Sequence, residues 1–150
     1  MIRHVEVRPV SAGDEGAWRT LWDGYCAFYE TVVPPDVTAE TWRRLLEPAE
    51  PVEGLVAEEG GEVVGFVNYV LHPSTWATAT ACYLEDLFVS PAARGSGAGR
   101  ALIEAVLGLA QSHGWDKVYW HTRRDNARAR ALYDSFTEAD DFVRYVVPAE

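Results

Sequence analysis

The chain is poor in the residues that hold a fold together covalently or mark it for a membrane. It has two cysteines, one methionine and one lysine in 150 residues. Cys26 and Cys82 lie far apart, with neither a CxxC pair nor a ligand-like histidine nearby. A disulfide framework is therefore excluded, and both cysteines are expected as reduced, buried thiols in a cytoplasmic protein. No apolar run approaches the roughly 20 residues of a membrane span. The segment Met1-Ile-Arg-His-Val-Glu6 lacks the apolar stretch of a signal peptide, so nothing in it marks the chain for export. His4, His72, His113 and His121 show no ligand spacing, and no metal is expected.

What is present is enough for a packed interior. Hydrophobic residues make up 48%, with six Trp and seven Tyr, which excludes a disordered or fibrous chain. The length suits a single domain spanning 1–150. The formal charge is −10 and uneven: residues 1–93 hold 15 acids and five bases, residues 94–150 eight of each. Such an acidic protein is a poor partner for nucleic acid, where phosphate contacts supply most non-specific affinity. It suits a cationic partner, while the C-terminal arginines can still hold a small anion.

Residues 5–10 alternate like a strand, and Trp18, Leu21, Trp22, Tyr25 and Tyr29 recur at helical spacing. After Pro34-Pro35, Thr38 or Thr41 can open a short helix through Trp42, Leu45 and Leu46. Residues 54–58 and 63–71, joined by Glu59-Gly-Gly-Glu62, read as a hairpin. A loop over 72–78 leads to a strand over 79–89 and then to a glycine-rich turn. A helix with Leu102, Ala105, Val106, Leu109 and Ala110 on one face follows, stopping at Gly114. The pattern then predicts a strand over 117–122, a helix capped at Asp125-Asn126, and a last strand over 142–147. The expectation is an α/β fold: one mixed sheet of about six or seven strands with helices on both faces.

The most informative segment is Arg94-Gly-Ser-Gly-Ala-Gly-Arg100, where a strand passes into a helix. The first N–H groups of a helix lack internal partners and the dipole adds positive charge, so glycines there make an anion cradle. A Walker loop and the dinucleotide fingerprint both fail on spacing. What fits is R-x-x-G-x-G, as Arg94, Gly97 and Gly99. With Tyr83-Leu-Glu-Asp-Leu-Phe-Val89 before it and Asn126 and Tyr133 after it, the chain resembles the GNAT superfamily of N-acetyltransferases. Tyr-Leu-Glu-Asp-Leu is similar to the diamine and polyamine acetyltransferases. Val118-Tyr-Trp-His-Thr with Arg-Ala-Leu-Tyr-Asp is similar to the yeast histone/polyamine group. One departure is that 135–142 contains no glycine, where many members place Gly-Phe.

The resemblance implies acetyl-CoA as cosubstrate and direct attack of an amine on its thioester. The cofactor-binding residues it implies are Leu87, Phe88, Val89, Arg94, Gly95, Ser96, Gly97, Ala98, Gly99, Arg100 and Asn126, with Arg130 a weaker candidate for the nucleotide phosphates. It makes Glu85 the base acting through water, the Val89 N–H the oxyanion donor, and Tyr133 the acid that protonates the leaving thiolate. Tyr25, Tyr29 and Glu30 close the first helix, where related enzymes build the amine pocket, joined by Glu85 and Asp86. On an ideal strand Glu85 and Asp86 project to opposite sides, so both reach one substrate only where the strand is splayed or bulged. Trp120 and His121 likewise alternate on their expected strand. The acceptor implied is a small cationic amine such as a polyamine, and a homodimer is expected. The alternatives are a protein Lys or N-terminal acetyltransferase and a non-catalytic acyl-CoA-binding module.

Overall fold

A computed structural model describes residues 4–149. They fall into two compact units that divide after Trp120. The first contains a five-stranded sheet in the order β1-β2-β3-β4-β5. Its strands are β1 (Val5–Pro9), β2 (Val52–Glu59), β3 (Glu62–Ser74), β4 (Ala77–Val89) and β5 (Lys117–Tyr119). All neighbours are antiparallel except β4 and β5, which run parallel. A parallel pair needs a crossover, and α3 (Ala98–His113) supplies it.

Alternation along β3 divides the core into two layers. Phe66 packs with Val56 and Phe88 against α1 (Glu15–Phe28) and α2 (Pro35–Leu46), where Trp18, Leu21, Trp22, Trp42 and Leu45 are buried. Trp18 and Trp22 stack with ring centroids 5.2 Å apart. The Trp22 indole N–H donates to the Thr38 hydroxyl at 3.1 Å and ties α1 to α2. On the opposite face Leu102, Ile103 and Val106 of α3 are fully buried, and a Cβ on Gly65 would lie 3.4 Å from Leu102. Helices thus cover both faces, which is why β3 reads as an almost continuous apolar run.

Arg8 pins β1 to the start of α1. Its guanidinium donates to both Asp14 oxygens at 2.8 and 2.9 Å and to Glu58 at 2.6 Å. The hydrogen bonds from Arg8 hold the buried Asp14 carboxyl down to about 2. A carboxyl depressed on folding stabilises above its unfolded pKa, and that contribution is lost as pH falls from about 4 through about 2. Arg8→Met leaves Asp14 buried without its cation and is expected to cost roughly 3 kcal/mol. Urea melts of both proteins at pH 7 and pH 3 check it, because the difference should shrink at the lower pH.

The structure departs from the sequence expectations in several places. The sheet has five strands, not six or seven, because 142–147 form none. Phe142, Tyr145 and Val147 are 88%, 89% and 90% exposed; β propensity forms a strand only where a neighbouring edge and a covering face exist. The expected loop over 72–78 is mostly strand, since β3 and β4 continue pairing to Ser74↔Ala77. Pro35 begins α2 instead of delaying it, as its fixed φ and missing N–H suit the first helical position. β5 stops at Tyr119, so Trp120 and His121 do not alternate as strand residues. Cys82 is buried and its thiol pushed up to about 12 by desolvation, whereas Cys26 is only half-buried. No described helix is long and apolar enough to cross a membrane.

Candidate active site

The site in the first unit forms where β4 loses one neighbour. The β4–β5 ladder ends at Tyr83↔Tyr119, while β4 runs on to Val89 with β3 on its other side. The Ser90 N–H donates to the Val64 carbonyl at 2.8 Å, which sets the hydrogen-bonding alternation of the β3–β4 ladder. Val89↔Gly65 and Leu87↔Val67 are then the non-hydrogen-bonded pairs, so the backbone groups of Val89 and Leu87 point away from β3 toward the open edge. Phe88 points into the core.

The same strand carries the bulge that the acidic pair requires. Asn68 pairs with Asp86 and Tyr69 with Leu84, so Glu85 is the extra residue. This insertion lets Glu85 and Asp86 serve one side of the sheet instead of opposite ones. Glu85 is exposed, whereas Asp86 is half-buried. Asn68 donates to Asp86 at 3.1 Å, and the Tyr25 hydroxyl lies beside the carboxylate and within 3.5 Å of the Glu85 carbonyl. Desolvation outweighs these donors and, with the Glu85 charge adding to it, pushes Asp86 up to about 6. Burial also raises the Tyr25 phenol well above the ordinary range, and Asp86 adds to that shift. Tyr29 packs edge-on against Tyr25 at 5.0 Å. Glu30 is exposed in the turn after α1, with φ of 52°, and is not among the groups packed around Asp86.

Beyond Val89 a single helical turn, Pro91–Ala93, leads to the cradle. Gly95 and Gly97 have φ of 88° and 93°, a region that disfavours side chains, and a Cβ on either would meet nothing within 4 Å. Gly97 precedes α3 and no side chain caps that helix. The Ser96 hydroxyl is buried without a partner. Ala98 is buried and Gly99 half-buried in the first turn. Arg94 lies over the Phe88 ring at 5.6 Å, and Arg100 stands 3.9 Å from Glu104. Uncapped N–H groups, an orphan hydroxyl, open space and flanking cations are what a pyrophosphate needs, so the loop fits coenzyme A.

The remaining candidates belong to the second unit. There Asn126 caps α4 (Ala127–Asp134), its side-chain oxygen accepting from the Ala129 N–H at 3.2 Å. Arg130 donates to the Arg124 carbonyl at 2.8 Å, bracing the chain before the helix. Tyr133 is half-buried near the end of α4. Among the described residues no cluster of His, Cys, Asp or Glu is placed to hold a metal ion. Asn68 belongs to no motif, and its one signal in the sequence is an amide in the apolar run Val64-Gly-Phe-Val-Asn-Tyr69.

Comparison with known proteins gives the same picture from outside the site. The model of the Acetyltransferase (GNAT) family matches residues 18–136. The chain is 37% identical over 143 residues to the D-amino-acid N-acetyltransferase HPA3 of Saccharomyces cerevisiae, covering 94% of this chain and 89% of that one. It is 32% identical over 150 residues to the uncharacterized N-acetyltransferase YhfO of Bacillus subtilis, covering 97% and 100%. Its fold is shared with AAC(6')-Iy, solved in complex with the bisubstrate analog CoA-S-monomethyl-acetylneamine, at a TM-score of 0.84, 19% identity and 97% and 99% coverage. With a matched cradle, open strand edge and family model, the chain belongs to the GNAT family and is an acetyl-CoA-dependent N-acetyltransferase.

Proposed function

We propose that this enzyme acetylates the primary amine of a small cationic acceptor of the polyamine class. The observation that carries this reading is the bulge at Glu85, which puts two carboxylates at the head of the open strand edge. An ammonium is attracted by such a pair, whereas an acceptor carboxylate is repelled. Between residues 4 and 93 each arginine is already committed to an acid: Arg8 to Asp14 and Glu58, Arg19 to Glu15, and Arg43 and Arg44 to Glu40. That part of the chain therefore offers an acceptor anionic groups but no uncommitted arginine.

Acetyl-CoA supplies the activated acyl group. Its pyrophosphate would lie on the N–H groups of residues 95–100, between Arg94 and Arg100, and its pantetheine along the backbone of Leu87 and Val89. Asn126 would hold the pantetheine through its amide nitrogen, since its oxygen serves the helix cap. An alkyl ammonium has a pKa of about 10 and must lose a proton before attack. Glu85 takes that proton through water while Asp86 holds the ammonium. The amine nitrogen then bonds to the thioester carbon, the Val89 N–H receives the negative charge that develops on oxygen, and the C–S bond breaks. An oriented donor of that kind contributes about 3 kcal/mol. Tyr133 gives the departing thiolate its proton, and the second proton that the nitrogen sheds on becoming an amide restores the phenol.

A second reading, a D-amino acid acceptor, is favoured by the yeast relative. Thiol release measured with spermidine, D-amino acids, an aminoglycoside and histone peptides separates these readings. Turnover highest on spermidine is the expected result; turnover confined to D-amino acids or peptides sinks the polyamine assignment. Glu85→Gln should lose most activity at low pH, where the ammonium is hardest to deprotonate. The pH profile of kcat/KM checks this, since a pH-independent loss would assign Glu85 to binding alone.

A further inference from the structure

Asn68 sits in a strand that has no packing need for it. It is 3% exposed, between Val67 and Tyr69, which are 0% and 2% exposed. The register places it directly between Gly54 on β2 and Asp86 on β4. Its Nδ2 donates to Asp86, but its Oδ1 is buried without a partner. A Cβ on Gly54 would stand 3.3 Å from that oxygen and 3.1 Å from Leu45, so the glycine makes the room that the amide occupies. An unpaired buried carbonyl oxygen costs roughly 1–3 kcal/mol, a cost that a leucine at the same position would not carry. Stability therefore does not explain the asparagine, and its single side-chain bond leads to Asp86.

We infer that Asn68 is a positioning residue: its amide fixes the Asp86 carboxylate at the bulge in the orientation that receives the acceptor's ammonium. This rests on the cationic-acceptor reading above. Asp86 is faced by Tyr25 and Cys26 from α1, by Glu85 on its own strand, and by Asn68 from β3. No cation stands among these groups, so Asn68 and Tyr25 are the donors that favour the ionised form. Ionised Asp86 attracts the ammonium and protonated Asp86 does not, so amine binding should fail below a pH of about 6. Glu85, exposed and untethered by β3, is free to follow the proton while Asp86 stays fixed.

The test combines carbon-13 titration of the aspartate carboxyls with amine kinetics, in the full chain and in Asn68→Leu. Removing the donor should raise the Asp86 midpoint by about one pH unit and carry the acid limb of kcat/KM upward with it. KM for spermidine should rise about tenfold, with a smaller change in kcat and unchanged acetyl-CoA affinity. A merely structural asparagine would change melting temperature without moving the midpoint. Asn68→Asp, nearly isosteric, keeps the test open if the leucine variant does not fold, and its second carboxylate should raise the midpoint further. A midpoint that stays in place, or an amine KM that does not move, overturns the inference. If the wild-type enzyme turns over no cationic amine, the acceptor reading fails, and the acceptor-free titration still decides the role of Asn68.

Discussion

Gly97→Glu should abolish acetyl-CoA binding, raising Kd by about 10³-fold through charge repulsion at the pyrophosphate. Two effects act together at this position. With φ of 93°, Gly97 occupies a conformation that costs a residue with a side chain roughly 1–2 kcal/mol. The added carboxylate also lies at the N-terminus of α3, where the helix dipole favours it and the uncapped N–H groups accept it. The variant thus fills its own cradle with an anion and presents negative charge to the phosphates. Gly97→Ala separates the contributions: a Cβ there meets nothing within 4 Å, so only backbone strain remains and the loss should be about tenfold. Calorimetric titration with CoA, and the rise in melting temperature that CoA produces, measure both. Retained affinity in the glutamate variant would place the pyrophosphate elsewhere.

Tyr133→Phe should lower kcat by about 10²-fold while acetyl-CoA binds as before, the signature of a lost general acid. Phenylalanine keeps the half-buried ring of α4 and removes only the hydroxyl, so the helix and its Asn126 cap should persist. The loss should be greatest with a poor thiol leaving group and smaller with an activated thioester, whose thiolate needs no proton to depart. Turnover equal to wild type would remove Tyr133 from the chemistry, whatever its place in the fold. The variant also separates the proposed acid from the proposed base. Losing the acid should leave the acid limb of the pH profile in place, whereas changes at Asp86 or Glu85 should move it.

Much of this was legible along the chain because it depends on local chemistry. The helical spacing of Trp18, Leu21 and Trp22 predicted the buried face of α1, and all three are buried. Gly114 ends α3 in a left-handed cap, as a glycine after a periodic run should. The cradle was readable for the same reason: left-handed backbone is accessible to glycine at little cost, so Gly95 and Gly97 report their conformation in the sequence. The motif Arg94-x-x-Gly97-x-Gly99 carried the family with it.

The run of β-prone residues at 142–147 forms no strand, because a strand is stabilised by a partner's edge that those residues do not carry themselves. Pro35 stands where a break is expected, yet its position makes it a start. By itself, then, the sequence determined the strand–loop–helix cradle and the family, since glycine conformations and helix ends depend on a few adjacent residues. Only the tertiary structure decided that Glu85 is a bulge, that Asp86 faces Tyr25 and that Asn68 touches Asp86. Strand register is a choice between segments distant in sequence, and one inserted residue redirects every side chain beyond it.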